Sequence, residues 1–140
     1  MHWMLLPLKR YAEFHGRSTR TEFWMYTLFQ ALLMILILAI AIPVAMATGG
    51  DERQAVDRML WAMVPIVVIA LGFAVPTIAV TVRRLHDQNL SGWLYLLSFV
   101  PYLGGLAILV MMCLPGTKGP NRFGPDPLGR PDPDVAKVFS

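Results

Sequence analysis

His86-Asp87 is the pair whose residue types most suggest chemistry, because an aspartate beside an imidazole can orient a general base. Adjacent residues on a helix do not face each other, however, and no serine or cysteine nucleophile is placed beside the pair. Metal binding meets a similar obstacle: His2, His15 and His86 lack ligand spacing, and the single cysteine, Cys113, lies inside a long apolar stretch. The residues therefore predict a protein that is not an enzyme, with no catalytic, cofactor-binding or metal-binding site. A more concrete chemistry belongs to Arg17, Arg20, Arg83 and Arg84. If these meet at one leaflet of a membrane, their guanidinium forks can hold the phosphate of an anionic lipid headgroup bidentately. The favoured alternative is plainer: the arginines enforce topology and pair with Glu22 and Asp87. Nucleic-acid binding is not expected, since topology already accounts for basic residues at membrane edges.

The elements that must position these residues are membrane spans. Hydrophobic residues make up 56% of the chain and charged residues only 15%, well under the quarter or so that a soluble domain carries. The apolar residues are gathered into three charge-free blocks, Phe23 to Thr48, Met59 to Val82 and Ser91 to Thr117. Each exceeds the ~20 residues that a helix needs to cross ~30 Å of hydrocarbon. Barrel strands would alternate polar and apolar residues, and soluble helices would show a polar face; these blocks do neither. The predicted fold is an all-α polytopic membrane protein of about three transmembrane helices, spanning about 23–47, 60–82 and 92–114. A single membrane domain over 1–127 is followed by a flexible tail, 128–140. Ala45-Met46-Ala47 mimics a signal cleavage site, but the preceding segment is too long for an h-region of ~7–15 residues. It is read as an uncleaved anchor.

Local signals sharpen this outline. Trp3 to Phe14 carries Met4, Leu8 and Tyr11 at helical spacing among Lys9, Arg10 and Glu13, which suits a short helix lying in the headgroup layer. Thr19-Arg20-Thr21-Glu22 forms a capping box that launches the first span, and Pro43 with Gly49-Gly50 marks its far end. Pro65 and Pro76 predict a kinked second helix whose freed carbonyls must be satisfied by neighbours or by threonine hydroxyls. Ser91 is placed to cap the third block. Pro101 and Gly104-Gly105 near its middle predict a kinked span, with a re-entrant hairpin as the alternative. Beyond Pro115 the density of proline and glycine rules out a long helix.

With three crossings the basic residues divide evenly between the two sides, and the cluster before the first span places the N-terminus in the cytoplasm. A hairpin third block would instead gather ten basic residues on one side against Arg53 and Arg58 on the other. No ionisable residue lies within any block, which argues against an ion-coupled transporter.

Three signatures stand at the membrane boundaries. They are Gly16-Arg17-Ser18-Thr19-Arg20-Thr21-Glu22-Phe23-Trp24, then Arg83-Arg84-Leu85-His86-Asp87 with Ser91-Gly92-Trp93. The third runs from Pro115-Gly116-Thr117 through Gly119, Asn121-Arg122-Phe123-Gly124 and Asp126-Pro127. In that order and spacing they resemble the bacterial family called Domain of Unknown Function 805, the YhaH-like inner-membrane proteins, from about Trp3 to Pro127. Leu90 and Phe123 depart mildly from its pattern. The resemblance implies a small multi-pass protein of the bacterial inner membrane and supplies no catalytic residues. The expected function is non-catalytic action through other membrane subunits or further copies, as an accessory or scaffolding component. Binding of anionic lipid or a small molecule is the alternative. Candidate contacts for lipid or partner are Arg17, Arg20, Arg83, Arg84, His86, Asp87, Trp93, Asn121 and Arg122.

Overall fold

A computed structural model describes residues 2–46 and 51–131. Four α-helices follow one another, α1 (His2–Lys9), α2 (Arg20–Met46), α3 (Glu52–Asp87) and α4 (Leu103–Cys113), with a 3-10 helix (Gly92–Phe99) before the last. Two of them, α2 and α3, are long and apolar enough to cross a membrane. At 1.5 Å per residue, the 27 residues of α2 and 36 of α3 rise about 40 and 54 Å.

The start of α2 follows from its cap: the Thr19 hydroxyl accepts the Glu22 backbone N–H at 3.1 Å. Only half of the expected box forms, because the Glu22 carboxylate turns to Arg83 instead of back to the cap. Pro43 does not end α2, which continues to Met46. Gly49 and Gly50 lie outside the described residues. The charged stretch between the first two apolar blocks is largely helical, since α3 already begins at Glu52.

The packing of α3 shows how a proline within a helix is accommodated. Pro76 has no N–H to offer the Gly72 carbonyl four residues earlier. The Tyr11 hydroxyl donates to that carbonyl at 2.7 Å, which ties the segment after α1 to α3. Nearby, the Gln30 amide donates to the Thr77 hydroxyl at 2.9 Å, and that hydroxyl donates to the Phe73 carbonyl at 2.6 Å. These bonds join α2 to α3 inside an otherwise apolar contact, where Phe73 also packs on Tyr26 and Phe29.

The third apolar block departs most from expectation: residues 92–114 do not form one kinked helix. The Ser91 hydroxyl caps the 3-10 helix by accepting the Trp93 N–H. Its far end is set by Pro101, which disfavours helix at the residue before it. Val100 is accordingly extended, and Tyr102 turns the chain with a positive φ of 64°. The 8-residue 3-10 arm and the 11-residue α4 then run back along each other. Each arm rises about 16 Å, roughly half of the ~30 Å of a bilayer core. The block is a helical hairpin whose two ends meet beside the end of α3. There the Arg84 guanidinium donates to the Leu114 carbonyl and the Gln88 amide to the Met111 carbonyl.

Gly104 is the residue that lets the arms close. A Cβ at this position would overlap the backbone carbonyl of Leu97, whereas one at Gly105 would meet nothing within 4 Å. Gly104→Ala is expected to cost about 1–3 kcal/mol through forced backbone movement. Gly105→Ala should be neutral or stabilise by up to about 1 kcal/mol, as alanine favours helix. Thermal melting of the two variants in one detergent checks the contrast.

Candidate functional site

The three signatures converge at the end of α3. Asp87, the last residue of that helix, is the hub. One carboxylate oxygen accepts from Arg17 Nε at 2.9 Å, and the other accepts from Arg84. All three side chains are buried. Removing charges from water is costly, so such a cluster needs most of its donors engaged; here the Arg84 Nε alone among the donors of Arg17 and Arg84 is buried without a hydrogen-bond partner among the described residues. The C-terminal segment supplies further acceptors. Arg17 donates to the carbonyls of Thr117 at 2.6 Å and Gly119 at 2.7 Å, and Arg84 to that of Leu114. Proline and glycine suit this segment because its carbonyls must point at guanidinium groups and cannot also be used by a helix.

Backbone bonds lock the same junction. The Asp87 carbonyl accepts the Thr117 N–H at 2.8 Å and the Thr117 hydroxyl at 3.1 Å. The Arg83 carbonyl accepts the Ser18 N–H at 3.1 Å. One turn from Asp87, Arg83 faces Glu22 of α2 at 3.2 Å, with both side chains buried. The two ion-pair systems thus join the N-terminal approach to α2, the end of α3 and the return from α4.

Of the other candidate residues, Asn121 belongs to the junction, donating to the His86 carbonyl at 2.9 Å and to the Thr117 hydroxyl at 3.1 Å. The His86 ring does not turn to Asp87. It stacks on Phe123 with centroids 3.9 Å apart, and its Nδ1 lies 3.3 Å from the Gly16 carbonyl. Arg122 stays exposed, donating to the Asn89 carbonyl and covering the Phe123 ring at 4.7 Å. Arg20 is exposed and flanks a small pocket with Arg130. Trp93, 79% exposed, stands on the hairpin away from the ion pairs. Arg17, Arg83 and Arg84 do not face a leaflet surface as a group. They point inward, toward carboxylates and carbonyls.

Several participants were not singled out from the sequence. Gly116 is required by contact, because a Cβ there would collide with the Asp87 carboxylate. Asp126 and Arg130 pair at 2.7 Å, and Arg130 also donates to the Thr117 carbonyl. Burial would push the Asp126 carboxyl up, but the Arg130 and Leu128 hydrogen bonds outweigh it and hold it below the usual range. The available signal was the third signature itself, whose order matched but whose individual roles no spacing reveals. Residues 128–131, read as part of a flexible tail, include this pinned Arg130, while 132–140 lie outside the described residues.

Both buried carboxylates of the junction, Asp87 and Glu22, are paired with arginines. Among the described residues no group of three or more histidine, cysteine, aspartate or glutamate side chains has metal-holding geometry. The arrangement closes the hairpin against the ends of α2 and α3.

Comparison with known proteins gives the same outline. The family described as "Protein of unknown function (DUF805)" matches residues 11–125. Two relatives from Escherichia coli (strain K12) are the Inner membrane protein YhaI and the Inner membrane protein YhaH. Each is 38% identical over 127 residues, covering 91% of this chain and 96% or 97% of the relative. No solved structure matches the chain. With its signatures joined in one buried junction between apolar helices, the chain belongs to the DUF805 family of all-helical, multi-pass inner membrane proteins.

Proposed function

We propose that this protein is non-catalytic and acts through contacts of its helices with other membrane subunits or with further copies of itself. The observation that carries this reading is the division of labour between the two ends of the molecule. The signature residues Arg17, Arg83, Arg84, Glu22 and Asp87 are spent internally at the hairpin junction. By contrast, the most apolar stretch of α2 has no buried residue, and α3 exposes Met59, Leu60, Trp61, Val67, Val68 and Leu71. Without a hydrophobic drive between helices in lipid, such faces associate by close packing, to which the hairpin junction lends a rigid base.

The hairpin also bears on orientation. With α4 returning, the N-terminal approach, the arginine junction and the start of the tail share one side. Nine basic residues of the described chain then stand there, from Lys9 to Arg130, against Arg53 and Arg58 on the other. The positive-inside rule places that side in the cytoplasm. In a Cys113→Ser background, Lys118→Cys is expected to react with a membrane-impermeant thiol reagent only after the inner membrane is opened. Arg53→Cys should react in intact spheroplasts. The reverse pattern would overturn the orientation, and labelling of both positions from outside would overturn the hairpin.

The partner reading is tested by native mass spectrometry of protein extracted gently from its own membrane. A discrete hetero-complex or a fixed homo-oligomer is expected. A protein-free monomer, unchanged after crosslinking in intact cells, would reject the reading.

A further inference from the structure

A cleft of 760 Å³ opens beside the junction, between α3 and the 3-10 arm. Its mouth is formed by His15, His86, Ser91, Trp93 and the Phe123 ring, and its inner wall by Val82, Ile78 and Leu96. A second cavity of 320 Å³ continues from it, sharing Ile78 and Tyr95 and reaching Ala74, Ala70 and Ile69 between α3 and α2. From His86 to Ile69 the groove follows α3 for seventeen residues, about 25 Å of rise. That exceeds the ~15 Å of hydrocarbon in one leaflet, half of a ~30 Å core.

The groove changes character along its length. Below Val82 its lining is almost wholly apolar, broken by Gln30 and Thr77, which bond to each other. At the mouth the titratable groups are two imidazoles, His15 and His86, with the Arg122 guanidinium over the Phe123 wall. The acids nearby are engaged elsewhere: Glu13, adjacent to His15, is held by Arg10, and Asp87 by Arg17 and Arg84. The His86 N–H is directed to the Gly16 carbonyl, so His15 and the positive charge of Arg122 beside the Phe123 wall are what meet an occupant's head, while apolar walls meet its tail. We infer that this groove binds a phospholipid of net negative charge, the head beside His15 and Arg122 and an acyl chain along α3. The site is separate from the buried arginines and does not depend on the partner reading.

The test is competition for the purified, delipidated protein, read by native mass spectrometry, between phosphatidylglycerol and phosphatidylcholine, with inorganic phosphate as the free-anion arm. Wild-type protein is expected to retain phosphatidylglycerol in preference. Placing two carboxylates at the mouth in His15→Glu/Arg122→Glu should lower that preference at least about tenfold, since they repel a negatively charged headgroup. Both residues are exposed, so the fold should survive. Ile78→Trp, which blocks the groove where its cavities join, should reduce retention of both lipids; it decides the matter if the charge variant fails to fold. Arg20→Glu, an exposed arginine outside the groove, should leave the preference unchanged. The inference is overturned if wild type shows no preference or if both groove variants retain lipid as wild type does. It is equally overturned if Arg20→Glu has the same effect as the mouth variant, or if inorganic phosphate displaces the lipid as well as phosphatidylglycerol does.

Discussion

Replacing Asp87 with alanine is expected to destabilise the protein by about 3–5 kcal/mol or more, the range for removing one partner of a buried ion pair. The upper end is expected because this carboxylate serves two guanidinium groups, those of Arg17 and Arg84, whose side chains are 1% and 0% exposed. Neither arginine can swing into water without opening the junction, since each is also held by carbonyls of the C-terminal segment. The loss is a large share of the roughly 5–15 kcal/mol by which folded proteins are typically stable. Thermal unfolding in detergent measures it, and proteolysis after Lys118 reports whether the returning segment detaches. Asp87→Asn keeps the shape and the backbone bonds to Thr117 but lacks the charge, so it should fall between wild type and alanine. An alanine variant that melts with wild type would show that the junction does not hold the hairpin.

The second large effect concerns Glu22 and Arg83, which join α2 to α3 at 3.2 Å with 3% and 0% of their side chains exposed. Glu22→Ala leaves the Arg83 guanidinium buried without its carboxylate and should cost about 3–5 kcal/mol. The double variant Glu22→Ala/Arg83→Met removes both charges and keeps a long apolar side chain. It should recover most of that loss, because replacing a whole buried pair with apolar groups is often neutral or stabilising. The four stabilities form a cycle whose coupling term isolates the pair. A double variant no more stable than Glu22→Ala would mean that Arg83 acts mainly through packing. Recovery would also bear on why the pair exists, pointing to registry between α2 and α3 rather than to stability alone.

Both predictions rest on residues that the sequence brought forward as a set. Arg17, Arg83, Arg84, Glu22 and Asp87 stood out because charges flanking long apolar blocks are conspicuous, and their mutual pairing was one of two readings. Which reading holds depends on where the guanidinium groups point. That direction is set by Thr117, Gly119 and Leu114, residues thirty or more positions from Arg84 or a hundred from Arg17. No local pattern encodes such distances. The same applies to Gly116, whose missing Cβ makes room for a carboxylate from another segment.

The elements were legible where one short window contains the whole cause. Charge-free blocks, the Thr19 cap and the Ser91 cap are such cases: the apolar run or the hydroxyl acts on its own neighbours. Pro76 was legible in kind, as a carbonyl needing a donor, though not that Tyr11 of a distant segment supplies it. Pro101 with Gly104 was ambiguous, because the same residues permit a kink in a crossing helix or a turn that reverses it. By itself the sequence determined an all-helical membrane protein, since hydrophobic burial in lipid and backbone hydrogen bonding are dictated by composition along the chain. Only the tertiary structure decided that the third block turns back. Its closure depends on Gly104 lying against the Leu97 carbonyl and on Arg84 capturing the Leu114 carbonyl, contacts that exist only after the chain has folded on itself.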